Sequence, residues 1–375
     1  MSLTQDIKEH AHSLGFSLVG VTTPDPTPHV DVFEGWLSQG RHGEMGYLAT
    51  PRSRTCRAHS ELLLPGCRSV IALGVRYPSP QPEPAGEMGL RGRVAAYAWG
   101  EDYHLVFPER LKQLVLFIEA QVGHAVPHRW YTDSGPLLER ELAQRAGLGW
   151  IGKNTCLIDP RRGSYFLLAE VLLGIELEPD TPFIADRCGS CTRCIAACPT
   201  QCILPDRTLD AGRCISYLTI ELKGAIPPEL RPRMGNWVFG CDACQEACPW
   251  NRFAVPEGEA AFAHRLVDPY PDLLEEMSLQ PLDFNRKYRH SPFRRAKRRG
   301  YLRNVAVALG NSQDMRAVPA LAEALLSDPE PLVRGHAAWA LGQIGGPAAR
   351  LALERAAGNE NDPAVQAEIQ DALDG

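Results

Sequence analysis

The sequence predicts an α+β multidomain protein: a mixed α/β domain, then a cysteine-rich domain, then α-helical repeats. Three observations carry this. Apolar, β-branched runs mix with a long helical pattern over residues 1–180. Eight cysteines fall into two spaced groups between 188 and 248. A short Arg-led, alanine-rich motif recurs after residue 300. The expected boundaries are 1–180, 181–255, a basic linker over 256–300, and repeats over 301–375.

The 375 residues are 44% hydrophobic, enough for one sizeable core and smaller units. The first residues, MSLTQDIKEHAHSLGFSLVG, put acidic and polar side chains where a signal peptide needs an apolar stretch. No uninterrupted apolar run reaches the roughly 18 residues of a membrane span. A cytoplasmic protein without membrane contact is expected. In a reducing compartment, twelve cysteines point to metal binding before disulfides.

Within the first domain, SVIALGVRY (69–77) reads as a buried strand. DYHLVFPERLKQLVLFIEAQVG (102–123) reads as a helix ending at Gly123. SYFLLAEVLLGIELEPD (164–180) reads as a strand with a bend at Gly174. The Pro/Gly-rich stretch 80–93 reads as a mobile loop. No G-x-G-x-x-G opens a helix after a strand, and no Walker A pattern occurs, so nothing supports a Rossmann nucleotide site or a P-loop. Three polar groupings stand out. Tyr97, Asp102, Tyr103 and His104 crowd 93–107. Asp133-Ser134-Gly135-Pro136 opens an amphipathic stretch that stops at Gly147 and Gly149. The plain reading of Asp133 there is a helix N-cap. The loop 147–154, with Lys153 and Asn154, offers backbone N–H groups to a phosphate or amide-rich ligand, or simply links helix to strand. The third grouping, 213–244, threads between the cysteine groups.

The first cysteine group is C-x2-C-x2-C-x3-C-P at Cys188, Cys191, Cys194 and Cys198. This is the bacterial ferredoxin run, whose fourth cysteine ligates the other cluster in two-cluster proteins. The second group, Cys241, Cys244 and Cys248, is one ligand short, and Cys214 is the remote supply. The swap assigns Cys188, Cys191, Cys194 and Cys248 to one [4Fe–4S] cluster, and Cys198, Cys214, Cys241 and Cys244 to the other. Paired zinc knuckles are the competing reading, but the two-two-three spacing followed by proline is much more specific than a bare C-x2-C. Cys56, Cys67, Cys156 and Cys202 read as small packing residues.

The net charge of −6 does not itself suggest a nucleic-acid partner. The stretch NRKYRHSPFRRAKRRGYLRN (285–304) does, with nine Lys/Arg and no acid. Tyr288, Phe293 and Tyr301 are expected there as stacking residues. A solvated basic linker is the plainer alternative. Beyond it, the motif from Arg303 to Gly310 recurs from Arg334 to Gly342, with a weaker copy over 362–373. This pattern reads as HEAT-like helical repeats. Asp328-Pro329 and Asp362-Pro363 read as helix starts.

YAWGEDYH (97–104), DSGPLLER (133–140), AGLGWIGKN (146–154), RCISYLTIELKGAIP (213–227) and MGNWVFGCDACQEACPWNR (234–252), with the eight cysteines, resemble the epoxyqueuosine reductase family over nearly the whole chain. The resemblance implies a nitroreductase-like α/β cobalamin-binding domain and two [4Fe–4S] clusters beside it. It implies reduction of epoxyqueuosine to queuosine at the tRNA wobble position, with Asp133 as proton donor, which calls for a raised carboxyl pKa. D-x-H-x-x-G is absent, since Asp102-Tyr103-His104 continues as Leu105-Val106-Phe107, in keeping with base-off cobalamin without a histidine ligand. Cobalamin contacts carried over are Arg57, Tyr97, Asp133, Lys153, Ser216 and Asp242. The expected tRNA contacts are Lys223, Arg294, Arg295, Lys297 and Arg298. The chain departs from the family at Gln201-Cys202 and at Trp99.

The partners implied are tRNA carrying epoxyqueuosine in its anticodon and an external low-potential electron donor, with the enzyme a monomer. Reductive dehalogenases are the nearest rival, but a small substrate needs neither a basic stretch nor repeats. A non-catalytic iron–sulfur carrier that binds tRNA would need neither the α/β domain nor the Asp133 loop.

Overall fold

The computed structural model describes residues 2–79, 90–254, 258–262 and 266–375. The expected loop over 80–93 therefore lies outside the described residues, apart from its last four. The described chain forms two compact units that interleave along the sequence. One takes 2–79, 101–211, 243–254 and 258–262; the other takes 90–100, 212–242 and 266–375.

The first unit is built on a four-stranded antiparallel sheet in the order β1-β2-β7-β4: β1 Leu18–Thr22, β2 Ser69–Arg76, β4 His128–Tyr131 and β7 Phe166–Leu173. Both apolar runs picked out in the sequence are thus central strands. Side chains alternate between faces. One face, with Leu18, Val70, Ala72 and Leu172, packs under the helix Glu139–Arg145 through Leu142 and Ala143. The helix Tyr103–Val122 starts where the Asp102 carboxylate accepts the His104 N–H and ends at Gly123 in the left-handed region. Its buried Phe107, Leu111, Leu114 and Ile118 make up the apolar side. A short antiparallel pair, β5 Trp150–Ile151 and β6 Leu157–Ile158, follows the helix Glu139–Arg145.

The second unit carries a short parallel pair, β3 Arg93–Val94 and β8 Trp237–Phe239. Its bulk is the helices Lys297–Ser312, Val318–Ser327, Pro331–Ile344, Gly346–Ala357 and Pro363–Asp374. Lys297–Ser312, Pro331–Ile344 and Pro363–Asp374 pack in succession. The repeated glycines sit at the crossings. A Cβ on Gly310 would lie 2.9 Å from Ala340, and one on Gly342 would lie 2.8 Å from Ala372. The Asp362-Pro363 start is observed, with the carboxylate accepting from the N–H groups of Ala364 and Val365. The Asp328-Pro329 start is corrected: the helix begins at Pro331, and Asp328 turns to other partners.

Those partners explain a second correction. Arg298 is buried and makes a two-pronged ion pair with Asp328, Nη2 to Oδ2 at 2.5 Å, while its Nε donates to the Leu279 carbonyl. It joins the repeats together and cannot reach a phosphate from there. The expected stacking aromatics are also turned inward. Tyr288, Phe293 and Tyr301 are fully buried, with Phe293 stacked between Phe239 at 4.2 Å and Tyr288 at 4.4 Å. The Tyr288 hydroxyl donates to buried Glu276.

Arg303, wholly buried, donates to the carbonyls of Leu218, Leu222 and Gly224. Asn304 donates to those of Thr219 and Val238. The first repeat helix therefore holds the helix Ile215–Ile220 and β8 by their backbone. No helix among the described residues is long and apolar enough to cross a membrane.

Candidate active site

Four thiols of the first unit meet. Cys188, Cys191, Cys194 and Cys248 line one cavity with Lys153, Asn154, Ile158, Pro249 and Trp250. Cys248 is distant in sequence, so the fold brings together the set the spacing proposed. Among the described residues no group of three or more His, Cys, Asp or Glu side chains is placed to hold a single metal ion; the thiols line a cavity instead. Lys153 donates to the carbonyls of Gly189, at 2.7 Å, and Cys191, at 3.0 Å, and so fastens the cysteine loop. The Trp150 indole N–H points at the Cys188 sulfur at 3.5 Å. Asn154 presents a buried Nδ2 with no acceptor among the described residues. An amide donor lining a cavity with four thiols fits a cluster, whose sulfide would supply the acceptor.

Cys198 leaves this loop and is buried. Its thiol is held down to about 5, first by the Cys202 side chain, against the opposing effect of burial. Cys202 is buried as expected, but it also touches Cys198, sulfur to sulfur at 3.4 Å.

Asp133 follows the end of β4 on a tight turn. Its φ is +56°, in the left-handed region. Thr132 fixes the turn by donating to the Leu168 carbonyl, and Ser134 N–H returns to the Thr132 carbonyl. Gly135 is obligatory, since a Cβ there would lie 2.5 Å from the Tyr131 ring. The N-cap reading of Asp133 is thus corrected. The helix starts at Glu139 with Leu138 at the cap, and the Asp133 N–H donates to Glu139 Oε1 at 2.6 Å. The Asp133 carboxylate is left 69% exposed. It accepts from the Tyr103 hydroxyl at 3.0 Å, with His104 Nε2 at 3.9 Å.

Arg57, on the helix Pro51–Ala58, is buried beside this turn's charges. Burial lowers its pKa, and Tyr47, Glu139 and Asp133 oppose the shift. Only Nη1 of its fork makes hydrogen bonds among the described residues, both to Ser53. Two carboxylates absent from the sequence reading join the site. Glu139 is pushed up to about 7, by burial first and by Asp133 second. Glu170, on β7, is completely buried. An acid in the apolar run SYFLLAEVLLG was the available signal for it.

The remaining expected contacts lie in the second unit. The Asp242 carboxylate is buried and accepts the Ala96 N–H at 2.7 Å. Tyr97 is half-buried, its ring 6.3 Å from Phe239. Gly240, at φ +67°, lets these segments meet, since a Cβ would be 2.5 Å from that of Ala95. Its N–H donates to Thr219 on the helix that carries Ser216.

Residues 57–134 match the family model described as epoxyqueuosine reductase QueG, DUF1730. Residues 187–251 match a 4Fe-4S double cluster binding domain, and 295–374 match HEAT repeats. The epoxyqueuosine reductase of Pseudomonas aeruginosa is 42% identical over 345 residues, covering 92% of this chain and 95% of the relative. The chain belongs to the epoxyqueuosine reductase family. The Escherichia coli enzyme of the family is 40% identical over 91% of this chain and 89% of its own. A crystal structure of epoxyqueuosine reductase with a tRNA-Tyr epoxyqueuosine-modified stem loop superposes with a TM-score of 0.91 at 35% identity, covering 99% of this chain and 98% of that one. A Bacillus subtilis structure, described with its catalytic aspartate loop swung out of the active site, gives 0.88 at 35% identity, covering 99% and 98%. The chain is an iron–sulfur oxidoreductase of this family, with a double-cluster domain and HEAT repeats, as its sequence predicts. The zinc, dehalogenase and carrier readings are set aside.

Proposed function

We propose that the chain reduces epoxyqueuosine to queuosine at the wobble base of tRNA, with Asp133 giving the proton to the epoxide oxygen. The observation that carries this is the turn at Asp133, which strains the backbone to project an exposed carboxylate held by Tyr103. Epoxide opening builds negative charge on oxygen, and an acid within reach relieves it. The balance is epoxide plus two electrons and two protons to alkene plus water. Membership in the family and the tRNA-bound relative support the substrate.

Cobalamin, held there, would supply low-potential reducing chemistry. The donor set fits an amide-rich tetrapyrrole: the open fork of Arg57 asks for a carbonyl or phosphate acceptor, and Asp133 faces outward. Arg57, Asp133 and Lys153 in one unit, and Tyr97, Ser216 and Asp242 in the other, are the proposed contacts. Because Lys153 holds the cysteine loop, its part is to tie the cluster edge to the site. The clusters take electrons from an external low-potential donor. Their ligands are Cys188, Cys191, Cys194 and Cys248 for one, and Cys198, Cys214, Cys241 and Cys244 for the other. The tRNA contacts are Lys223, Arg294, Arg295 and Lys297. Arg294 and Lys297 are exposed and form no ion pair among the described residues. The enzyme acts as a cytoplasmic monomer.

Asp133→Asn tests the reading. The variant is expected to keep iron, cobalamin and tRNA binding and to lose turnover. Full activity would refute the role of Asp133.

A further inference from the structure

A row of aromatic rings runs from the four-thiol cavity of the first unit to its surface. The Trp150 indole that points at the Cys188 sulfur is itself buried. Its ring meets Trp250 edge to face at 5.0 Å and stacks near Phe183 at 5.7 Å. Trp250 lines the cavity, and its outer neighbour is Phe253 at 6.1 Å. Cys248 caps the short helix Pro249–Phe253, so one turn of chain fixes a cluster ligand and both of these rings. Phe253 is 39% exposed, and Ile184, next to Phe183 in the sequence, is 91% exposed.

Cations frame this apolar spot. The Arg187 guanidinium lies over Phe183 at 5.5 Å and over Trp250 at 6.0 Å. The Arg252 guanidinium lies over Phe253 at 4.6 Å. Both arginines are exposed, and so is Arg193 between Cys191 and Cys194. None of the three has an ion pair among the described residues. The described acids next to them in sequence are Asp186 and Glu246. Asp186 is matched by Arg207, Nη1 to Oδ2 at 2.6 Å, and also accepts the Cys188 N–H. Three arginines against Glu246 leave positive charge over, in a chain whose net charge is −6.

Apolar side chains scattered singly on a surface need no explanation, but these lie within a cationic frame beside a redox cavity. An apolar centre with a charged rim is the anatomy of an interface. Three features fix its occupant. The frame is cationic, so the partner is anionic. Arginines cover the faces of Phe183 and Phe253 on which a nucleic-acid base would stack, so the partner is a protein. The rings abut Cys188 and the cavity, and electrons cross protein only over short distances, so the partner is one that delivers electrons.

We propose that Ile184, Phe253, Arg187, Arg193 and Arg252 form the docking surface for a small acidic one-electron carrier protein. Each encounter oxidises the carrier by one electron and reduces the cluster held by Cys188, Cys191, Cys194 and Cys248 by one. Two encounters supply the two electrons of the reaction. The contact is small, weak and salt-sensitive, as suits a partner that must leave after each electron. The inference rests on the proposed reduction through the clusters, and it gives their external donor a place and a chemistry.

The test uses the full chain with its clusters loaded, and an acidic flavodoxin as the carrier. Binding of oxidised flavodoxin is read by titration calorimetry at low and high salt. Electron transfer is read by anaerobic stopped flow, as the flavin semiquinone that appears when hydroquinone flavodoxin is mixed in. Parent binding is expected to weaken as salt rises. Arg187→Glu with Arg252→Glu should weaken binding and slow the transfer on the order of tenfold or more. Ile184→Glu should weaken both several-fold. Its exposed position keeps the test decisive even where Arg187→Glu costs iron. Dithionite should bleach the clusters of parent and variants alike, and affinity for the tRNA stem loop should not change. Absent or salt-insensitive flavodoxin binding in the parent would overturn the proposal, as would equal binding and transfer in the parent and Ile184→Glu. Lost stem-loop affinity in the variants would also overturn it, by giving the surface to RNA. If the dithionite-reduced parent, supplied with cobalamin, leaves epoxyqueuosine unchanged, the functional reading fails instead, and the binding and transfer results still decide the surface.

Discussion

The hydroxyl of Tyr103 donates to Oδ2 of Asp133 at 3.0 Å, across 30 residues of sequence. The tyrosine is the first residue of its helix, set by the Asp102 cap. The ring of His104 stacks on it at 4.2 Å. A phenol anchored at a helix start thus orients a carboxylate on a strained turn. Tyr103→Phe removes one hydrogen bond of about 1 kcal/mol. The expected result is a several-fold lower kcat with KM for the tRNA unchanged, read from steady-state kinetics. Equal loss in both would mean that Tyr103 serves binding.

Lys153 gives a test of the cluster cavity. Its ammonium group spans two carbonyls of the loop that carries Cys188 and Cys191. Lys153→Ala should loosen that loop and drain one cluster before the other. Iron content is expected to fall from about eight per chain toward about four. Loss of all iron together would show that the clusters do not assemble separately.

Exposed and buried basic residues should separate cleanly. Arg294→Ala with Lys297→Ala should weaken tRNA binding and lower the salt slope by about two, as two phosphate contacts disappear. Arg298→Ala should leave the slope alone and destabilise the repeats, because it strands Asp328. Titrations at several salt concentrations, paired with melting curves, decide this. A reduced slope for Arg298→Ala would contradict the inward placement.

Arg303→Ala takes the arginine donor from three carbonyls, two of them buried. Destabilisation of about 3 kcal/mol or more is expected in urea unfolding. The effect should extend to the segment 215–224, seen as faster amide exchange there. Unchanged exchange in that segment would show that other contacts suffice.

The cysteines were legible because cluster chemistry dictates ligand spacing, and spacing survives in a sequence. The central strands were legible because runs such as SVIALGVRY have only one economical place in a sheet. Asp133 was singled out, but its geometry was not, since a left-handed aspartate and an N-cap begin from the same letters. Glu170 and Glu139 escaped because one acid in a run of leucines reads as an edge or an end. Only the fold shows it at the centre of the sheet. Tyr288, Phe293 and Tyr301 misled for the opposite reason. Aromatic residues among arginines look like a nucleic-acid surface, whereas here the chain turns them into a core and leaves part of the charge outside.

The fan of bonds from Arg303 and Asn304 has a consequence for how such a chain can be edited. A domain appended for recognition can be shed, and the remainder keeps its shape. These helices cannot be shed in that way. The strand Trp237–Phe239 and the helix beginning at Ile215 send their carbonyls into the first repeat, so removing it would leave bare backbone beside Cys214 and Cys241. The repeats and the segments that flank Cys214 and Cys241 are therefore mortised together. Swapping the repeats for those of another protein would have to bring along an arginine and an asparagine at these two positions.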